Sequence, residues 1–135
     1  METTTDGACA GDYSIARTWT ATDDCGNASS ATQTITIIDT TAPEFTSIPA
    51  DYTAECSSVH RMDDASATDN CGEVRINVVE TTTPGSCAGD YTLTREFTAT
   101  DDCGNATSAT QTITIIDTTS PEFTSVPSDL SLIHI

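Results

Sequence analysis

Residues 1–51 align without a gap to residues 79–129, an offset of 78, with 39 of 51 positions identical. METTTDGACAGDY answers VETTTPGSCAGDY, and TATDDCGNA stands unchanged at Thr20–Ala28 and Thr98–Ala106. A chain that repeats at a fixed period builds the same supersecondary unit each time, and such units stack against their neighbours. The repeat also sets boundaries. It predicts the carboxyl-terminal half of one unit at 1–41, a complete unit at 42–118, and the start of a third at 119–135. Met1 falls where the second copy has Val79, so we expect it to be an internal valine codon read as a start, with the natural chain continuing upstream. Identity ends at Asp51/Asp129, where YTAECS faces LSLIHI. LSLIHI matches one reading frame of a common sequencing adaptor, so Leu130–Ile135 are expected to be a non-native tail; a divergent last strand is the alternative.

Within the complete unit the hydrophobic period is two. EVRINVVETT sets Val74, Ile76 and Val78 on one face. YTLTREFTATD sets Tyr91, Leu93, Phe97 and Ala99 on one face, with Thr92, Thr94, Glu96 and Thr98 on the other. SATQTITIID turns Ile113 and Ile115 inward. Alternation of this kind marks strands with one buried face. FTSIPADYTAEC reads as a first strand broken by Pro49, as edge strands often are, and Asp-Cys-Gly and Pro-Gly supply turns. No stretch keeps a 3.6-residue period over three turns, and the 28 Thr residues favour strands. The fold class is all-β. Arg95, and Arg17 in the first copy, falls on the apolar face of its strand. Either a bulge accommodates it, or its guanidinium stacks on the neighbouring Phe97 or Trp19.

Charge narrows the function. Four Arg and no Lys stand against 21 carboxylates, a formal net charge of −17. That balance excludes nucleic acid and anionic membrane surfaces as partners, and no run approaches the roughly 18 apolar residues of a membrane span. Six cysteines include no CxxC pair and there are only two His residues, so disulfides in an oxidising, extracytoplasmic setting are expected rather than zinc. His60 lies in a polar stretch and His134 in the suspect tail, so no Ser-His-Asp set can be assembled. Paired aspartates that recur beside a cysteine in both copies do not read as a glycosidase. An enzyme is not expected.

The order "PEFTSIPADYTAEC … ATDNCGEV … CAGDYTLTREFTATDDCGNATSATQTITI" resembles hyalin-repeat (HYR-like) immunoglobulin-like domains. The likeness is greatest to the tandem, cysteine-bearing versions in large surface proteins of Bacteroidota-type bacteria. It spans residues 1–129, and its most specific parts are the TATDxCGN loop, the GDYTLTR strand opening and the TITIIDTTxPEF linker. The resemblance implies an immunoglobulin-like or fibronectin III-like β-sandwich in tandem repeats, secreted or at the cell surface. It implies a structural segment of an adhesin or fibre, a stalk stiffened by disulfides and calcium; the alternative is a Ca²⁺-dependent carbohydrate- or protein-binding module. Partners would be neighbouring repeats of the same chain, other copies in a filament, and glycans or a host or biofilm surface. Tyr13 and Tyr91 would then take a tyrosine-corner role at the start of a late strand.

An extended strand of about nine residues spans roughly 30 Å, so Cys87 and Cys103, which flank one, cannot approach within the roughly 7 Å that a disulfide allows. The immunoglobulin-like order places Cys56 and Cys87 at one end of the sandwich and Cys71 and Cys103 at the other. It predicts Cys56–Cys87 and Cys71–Cys103 bridges, with the partners of Cys9 and Cys25 outside the fragment. Loops ATDNCG and TATDDCGNA then meet, bringing together Asp69, Asn70, Asp101, Asp102 and Asn105. The entering linker adds Asp39, with Glu44 beside it. Oxygen-rich clusters suit Ca²⁺; the plainer reading is that Asp and Asn are here as turn residues. Asn27 and Asn105 open N-x-[ST] triplets, and Thr40 and Thr118 sit in Asp-Thr-x sites resembling those O-glycosylated in such surface proteins. The plain alternative is a polar linker.

Overall fold

The computed structural model describes residues 1–58 and 62–129. His60, His134 and the expected tail Leu130–Ile135 lie outside the described residues. Among those described there are nine strands and no helix: β1 (Glu2–Asp6), β2 (Tyr13–Thr22), β3 (Ala28–Ile37), β4 (Glu44–Ser47), β5 (Tyr52–Glu55), β6 (Ser66–Thr68), β7 (Val74–Pro84), β8 (Tyr91–Asp101) and β9 (Ala106–Ile116). They form three sheets, β1-β2-β3, β4-β6 and β5-β9-β8-β7. The two later sheets pack in a sandwich-like fold whose core is Phe97, Ala99, Ile113 and Ile115. All four lie where the period-two alternation of β8 and β9 places them.

Arg95 shares that buried face, at 4% exposure. The register of β8 against β9 runs unbroken from Tyr91↔Ile115 to Thr100↔Ala106, so no bulge makes room for it. The guanidinium instead stacks 5.0 Å from the Phe97 ring centre. Its Nε donates to Glu80 Oε1 at 3.1 Å, and Nη1 donates to Asp63 O at 2.7 Å and Gln111 Oε1 at 3.2 Å. A buried cation is tolerated when it is paired and hydrogen-bonded in this way.

The break at Pro49 does more than interrupt a strand. It carries the chain from one sheet to the other: β4 pairs antiparallel with β6, whereas β5 pairs parallel with β9, Tyr52 facing Ile113 and Glu55 facing Ile116. Gln111 Nε2 donates to Ala50 O at 2.9 Å, and Asp51 Oδ1 accepts the Thr112 N–H at 2.8 Å, which pins the crossing segment.

The first sheet repeats the local structure of the second copy. Tyr13 faces Ile37 as Tyr91 faces Ile115, and Thr22 faces Ala28 as Thr100 faces Ala106. What differs is cover. Trp19, in the place of fully buried Phe97, is 51% exposed, because among the described residues no counterpart of the β4-β6 layer lies over β1-β2-β3.

Strand order sets the ends. Cys56 donates its N–H to Ile116 O, and Tyr91 faces Ile115, so the Cys56 and Cys87 segments share one end. Val74 faces Asp101, so Cys71 and Cys103 share the other. The bridge there is not the expected Cys71–Cys103. Cys9 and Cys103 are joined instead, with Cα atoms 5.0 Å apart, and Cys71 is a thiol. The loop carrying Cys9 is laid against this end: a Cβ on Gly11 would stand 3.2 Å from that of Cys71. Three cysteines therefore converge, and strand order selects the end but not the partner. Cys9 finds its partner inside the chain, not outside it. The expected Cys56–Cys87 bridge is absent too; both are exposed thiols, as is Cys25.

Candidate functional site

The joint between the first sheet and the two later ones is built from three segments. The first is the turn after β8. Asp101 Oδ1 accepts the N–H groups of Cys103 and Asn105, each at 2.9 Å, and Oδ2 accepts Asn105 Nδ2 at 2.9 Å. Gly104 completes this turn at φ 87°, a left-handed conformation that side chains disfavour. The TDNCG loop before β7 uses the same device, with Asp69 Oδ2 accepting the Cys71 N–H at 2.9 Å. The third segment is the linker after β3. Asp39 donates its N–H to Asp12 Oδ1 at 2.8 Å, accepts the Thr41 N–H on Oδ1 at 3.1 Å, and accepts Asn105 Nδ2 on its carbonyl at 3.0 Å. The turn reading of these Asp and Asn residues is thus correct, and it leaves room for a second role.

One oxygen each from Asp39, Asp69 and Asp101 lies within 4.8 Å of the others. Asp101 is 1% exposed and Asp39 is also buried. Asp69 Oδ1 is buried with no hydrogen-bond partner in the protein. Native interiors rarely leave such an acceptor unmet. Burial pushes the Asp39 carboxyl above its usual range, and the charges of Asp69 and Asp101 push it further. Burial also pushes Asp101 up, but hydrogen bonds from the Asn105 side chain and backbone and from the Cys103 N–H outweigh it and hold Asp101 low. Of the two neighbouring carboxyls, Asp39 is thus the one shifted up and Asp101 the one shifted down. The Cys71 thiol is raised by burial and then by Asp39, Asp69, Asp101 and Asp12. Three crowded carboxylates with an orphaned buried oxygen suit a hard, oxygen-seeking dication.

The structure assembles part of the predicted ligand set. Asp39, Asp69 and Asp101 converge. Asn105 is adjacent, but its amide nitrogen faces the cluster and is spent on Asp101 and Asp39. Asn70 and Asp102 are exposed and outside the group of three carboxylates, and Glu44 is exposed on β4. Asp12 Oδ1 lies 3.8 Å from Cys103 Sγ, but a disulfide sulfur has no proton to donate and no charge to bind a metal. Among the glycosylation candidates, Asn105 would have to give up one of its two side-chain hydrogen bonds to accept a sugar. Thr118 donates its N–H and hydroxyl to Glu55, while Asn27 and Thr40 are exposed.

Sequence reasoning missed Gly11 and Asp12. GDY reads as a strand opening, yet its Gly and Asp hold the linker. A Cβ on Gly11 would come 2.7 Å from that of Asp39. The signal was present: GDY and IIDTT recur together at the same spacing in both copies, which a pair of contacting motifs must do.

Compared with known proteins, the chain matches no family model and no curated protein, so the functional reading stands on the joint itself. Among the described residues no helix is long and apolar enough to cross a membrane.

Proposed function

We propose that this chain is a structural segment of a secreted or cell-surface adhesin or fibre, a tandem array of HYR-like immunoglobulin-like sandwiches whose joints are stiffened by a disulfide and by calcium. The observation that carries this reading is the joint. A covalent bridge from Cys9 to Cys103 and a cluster of three carboxylates lie between one repeat copy and the next, and residues of both copies build them. Two rigid bodies tied by a disulfide, by Asp12 to the linker and by Asn105 to Asp39 cannot hinge freely, and a mechanical spacer needs that property. The division of the first strand between two sheets, with its second half parallel to the last strand, supports the immunoglobulin-like order. Disulfides persist in oxidising compartments, which supports location outside the cytoplasm.

Calcium would bind through Asp39, Asp69 and Asp101, meeting the orphaned Asp69 Oδ1. Calorimetric titration of the intact chain with Ca²⁺ tests this. Binding to the folded state alone raises stability by about 2.7 kcal/mol at a hundredfold excess over Kd, so the melting temperature should rise. Asp69→Asn should abolish the heat of binding and the rise, without lowering the melting temperature in metal-stripped buffer. A melting temperature indifferent to Ca²⁺ would remove the cation from the proposal.

A further inference from the structure

Three cysteines meet at the joint, and a bridge takes only two. Cys103 is joined to Cys9, and Cys71 remains a thiol. Two sets of contacts place that thiol beside the bridge. The Gly11–Asp12 step of the Cys9 loop touches both other cysteines. A Cβ on Gly11 would stand 3.2 Å from that of Cys71, and Asp12 Oδ1 lies 3.8 Å from Cys103 Sγ. The turns that carry Cys71 and Cys103 also touch each other directly: a Cβ on Gly72 would meet Asp102 Oδ2 at 3.7 Å. Cys71 and Cys103 are the chain neighbours of that contact.

Both turns present their cysteine in the same way. Asp69 Oδ2 accepts the Cys71 N–H and Asp101 Oδ1 the Cys103 N–H, each at 2.9 Å. One oxygen of each carboxylate lies within 4.8 Å of the other. Strand pairing fixes the bases of the turns, with Val74 facing Asp101. Cys71 and Cys103 therefore belong to one frame, that of the later sheets, whereas Cys9 arrives with the first sheet.

We propose that the joint is a thiol–disulfide switch, in which Cys71 displaces Cys9 from Cys103 and releases the covalent tie between the first sheet and the later ones. The inference rests on the reading of Cys9–Cys103 as a coupling and supplies its release. The Cys71 thiolate attacks Cys103 Sγ. A Cys71–Cys103 bond forms, the Cys9–Cys103 bond breaks, and Cys9 leaves as a thiolate that takes up the proton Cys71 gave up. One bridge is present before and after, so the step consumes no oxidant and no reductant. It is intramolecular, which favours it over attack by a thiol from solution. What then crosses the joint, besides the linker itself, is noncovalent, the Asn105 bond to the Asp39 carbonyl at 3.0 Å among it. A stiff joint becomes one that can hinge, and the later sheets keep a bridge of their own.

The full-length chain carrying Cys25→Ser, Cys56→Ser and Cys87→Ser, all at exposed thiols, leaves these three cysteines alone and tests the switch. Its oxidised form is held in mildly alkaline buffer without added thiol or oxygen, and samples quenched in acid are alkylated and mapped for disulfide-linked peptides. The Cys9–Cys103 peptide should be present at the start. A Cys71–Cys103 peptide should then grow over minutes to hours. Cys9 should become open to alkylation in step with the loss of Cys71, at one bridge per chain throughout. Adding Cys71→Ser should freeze the map at Cys9–Cys103. A map of the three-cysteine chain that stays at Cys9–Cys103, or that gains Cys9–Cys71 instead, would overturn the switch and leave the coupling reading intact. A starting protein with no Cys9–Cys103 peptide would overturn both.

Discussion

Arg95 and Arg17 hold the same place in the two copies, and their surroundings assign them different weights. Arg95 is enclosed, bound to Glu80, Gln111 and the Asp63 carbonyl. Removing it empties a buried volume and leaves the buried Gln111 Oε1 without its donor, while Glu80, about half exposed, can turn to water. Arg95→Ala should therefore cost about 1–3 kcal/mol in urea denaturation. Arg17 pairs with Glu2 at 3.3 Å, with about half of each side chain exposed, and Arg17→Ala should cost less than about 1 kcal/mol. Equal losses would mean that Arg95 is not enclosed as described. Cys71 makes a second contrast. Its thiol is held up by burial and by four carboxylates, and the thiolate is the reactive form. At pH 8, iodoacetamide should modify Cys25, Cys56 and Cys87 well before Cys71, which peptide mapping would read directly. Early modification of Cys71 would contradict its enclosure.

Strands were the most legible elements, because a period of two is written into the residues themselves. Val74, Ile76 and Val78 on β7, Phe97 and Ala99 on β8, and Ile113 and Ile115 on β9 all stand on the faces their alternation gives. The sheet crossing at Pro49 was half legible. Proline marks a break, but nothing local says that the chain resumes in the other sheet, parallel to β9. The disulfide was not legible, since Cys9, Cys71 and Cys103 reach the same end and adjacency there depends on how the first sheet sits. Glycine carries that placement. Gly11→Ala would drive a Cβ to 2.7 Å from the Asp39 Cβ in a buried joint, and overpacking of this kind costs about 1–3 kcal/mol. Gly89→Ala meets Asp117 at 2.8 Å, but that linker is exposed and can shift. The melting temperature should fall clearly for Gly11→Ala and less for Gly89→Ala. A reversed order would show that the joint is not what fixes the linker.

At the scale of the whole molecule, 21 carboxylates against four Arg make protons and cations rivals for the same sites. Asp39 has its carboxyl raised above the usual 3.8, so folding binds its proton more tightly. That contribution to stability is complete below about 3.8 and is lost as pH rises through the raised value. Asp101 and Asp23 are lowered; their contributions are present above 3.8 and are lost as pH falls through the depressed values. Metal-stripped protein should thus be most stable in mildly acidic solution and weaken toward neutrality as Asp39 ionises among like charges. A dication held by Asp39, Asp69 and Asp101 reverses that loss, because it binds the ionised form that the proton opposes. The rise in melting temperature on adding Ca²⁺ should therefore be largest near pH 7.5 and shrink steadily toward pH 4. Asp39→Asn, which mimics the protonated carboxyl without titrating, should raise the melting temperature of the metal-stripped protein at pH 7.5 and flatten its Ca²⁺ response. Melting curves at four or five pH values, with and without Ca²⁺, decide the matter. A Ca²⁺ effect of constant size across that range would mean that the cation acts by general screening of the net charge and not at the joint.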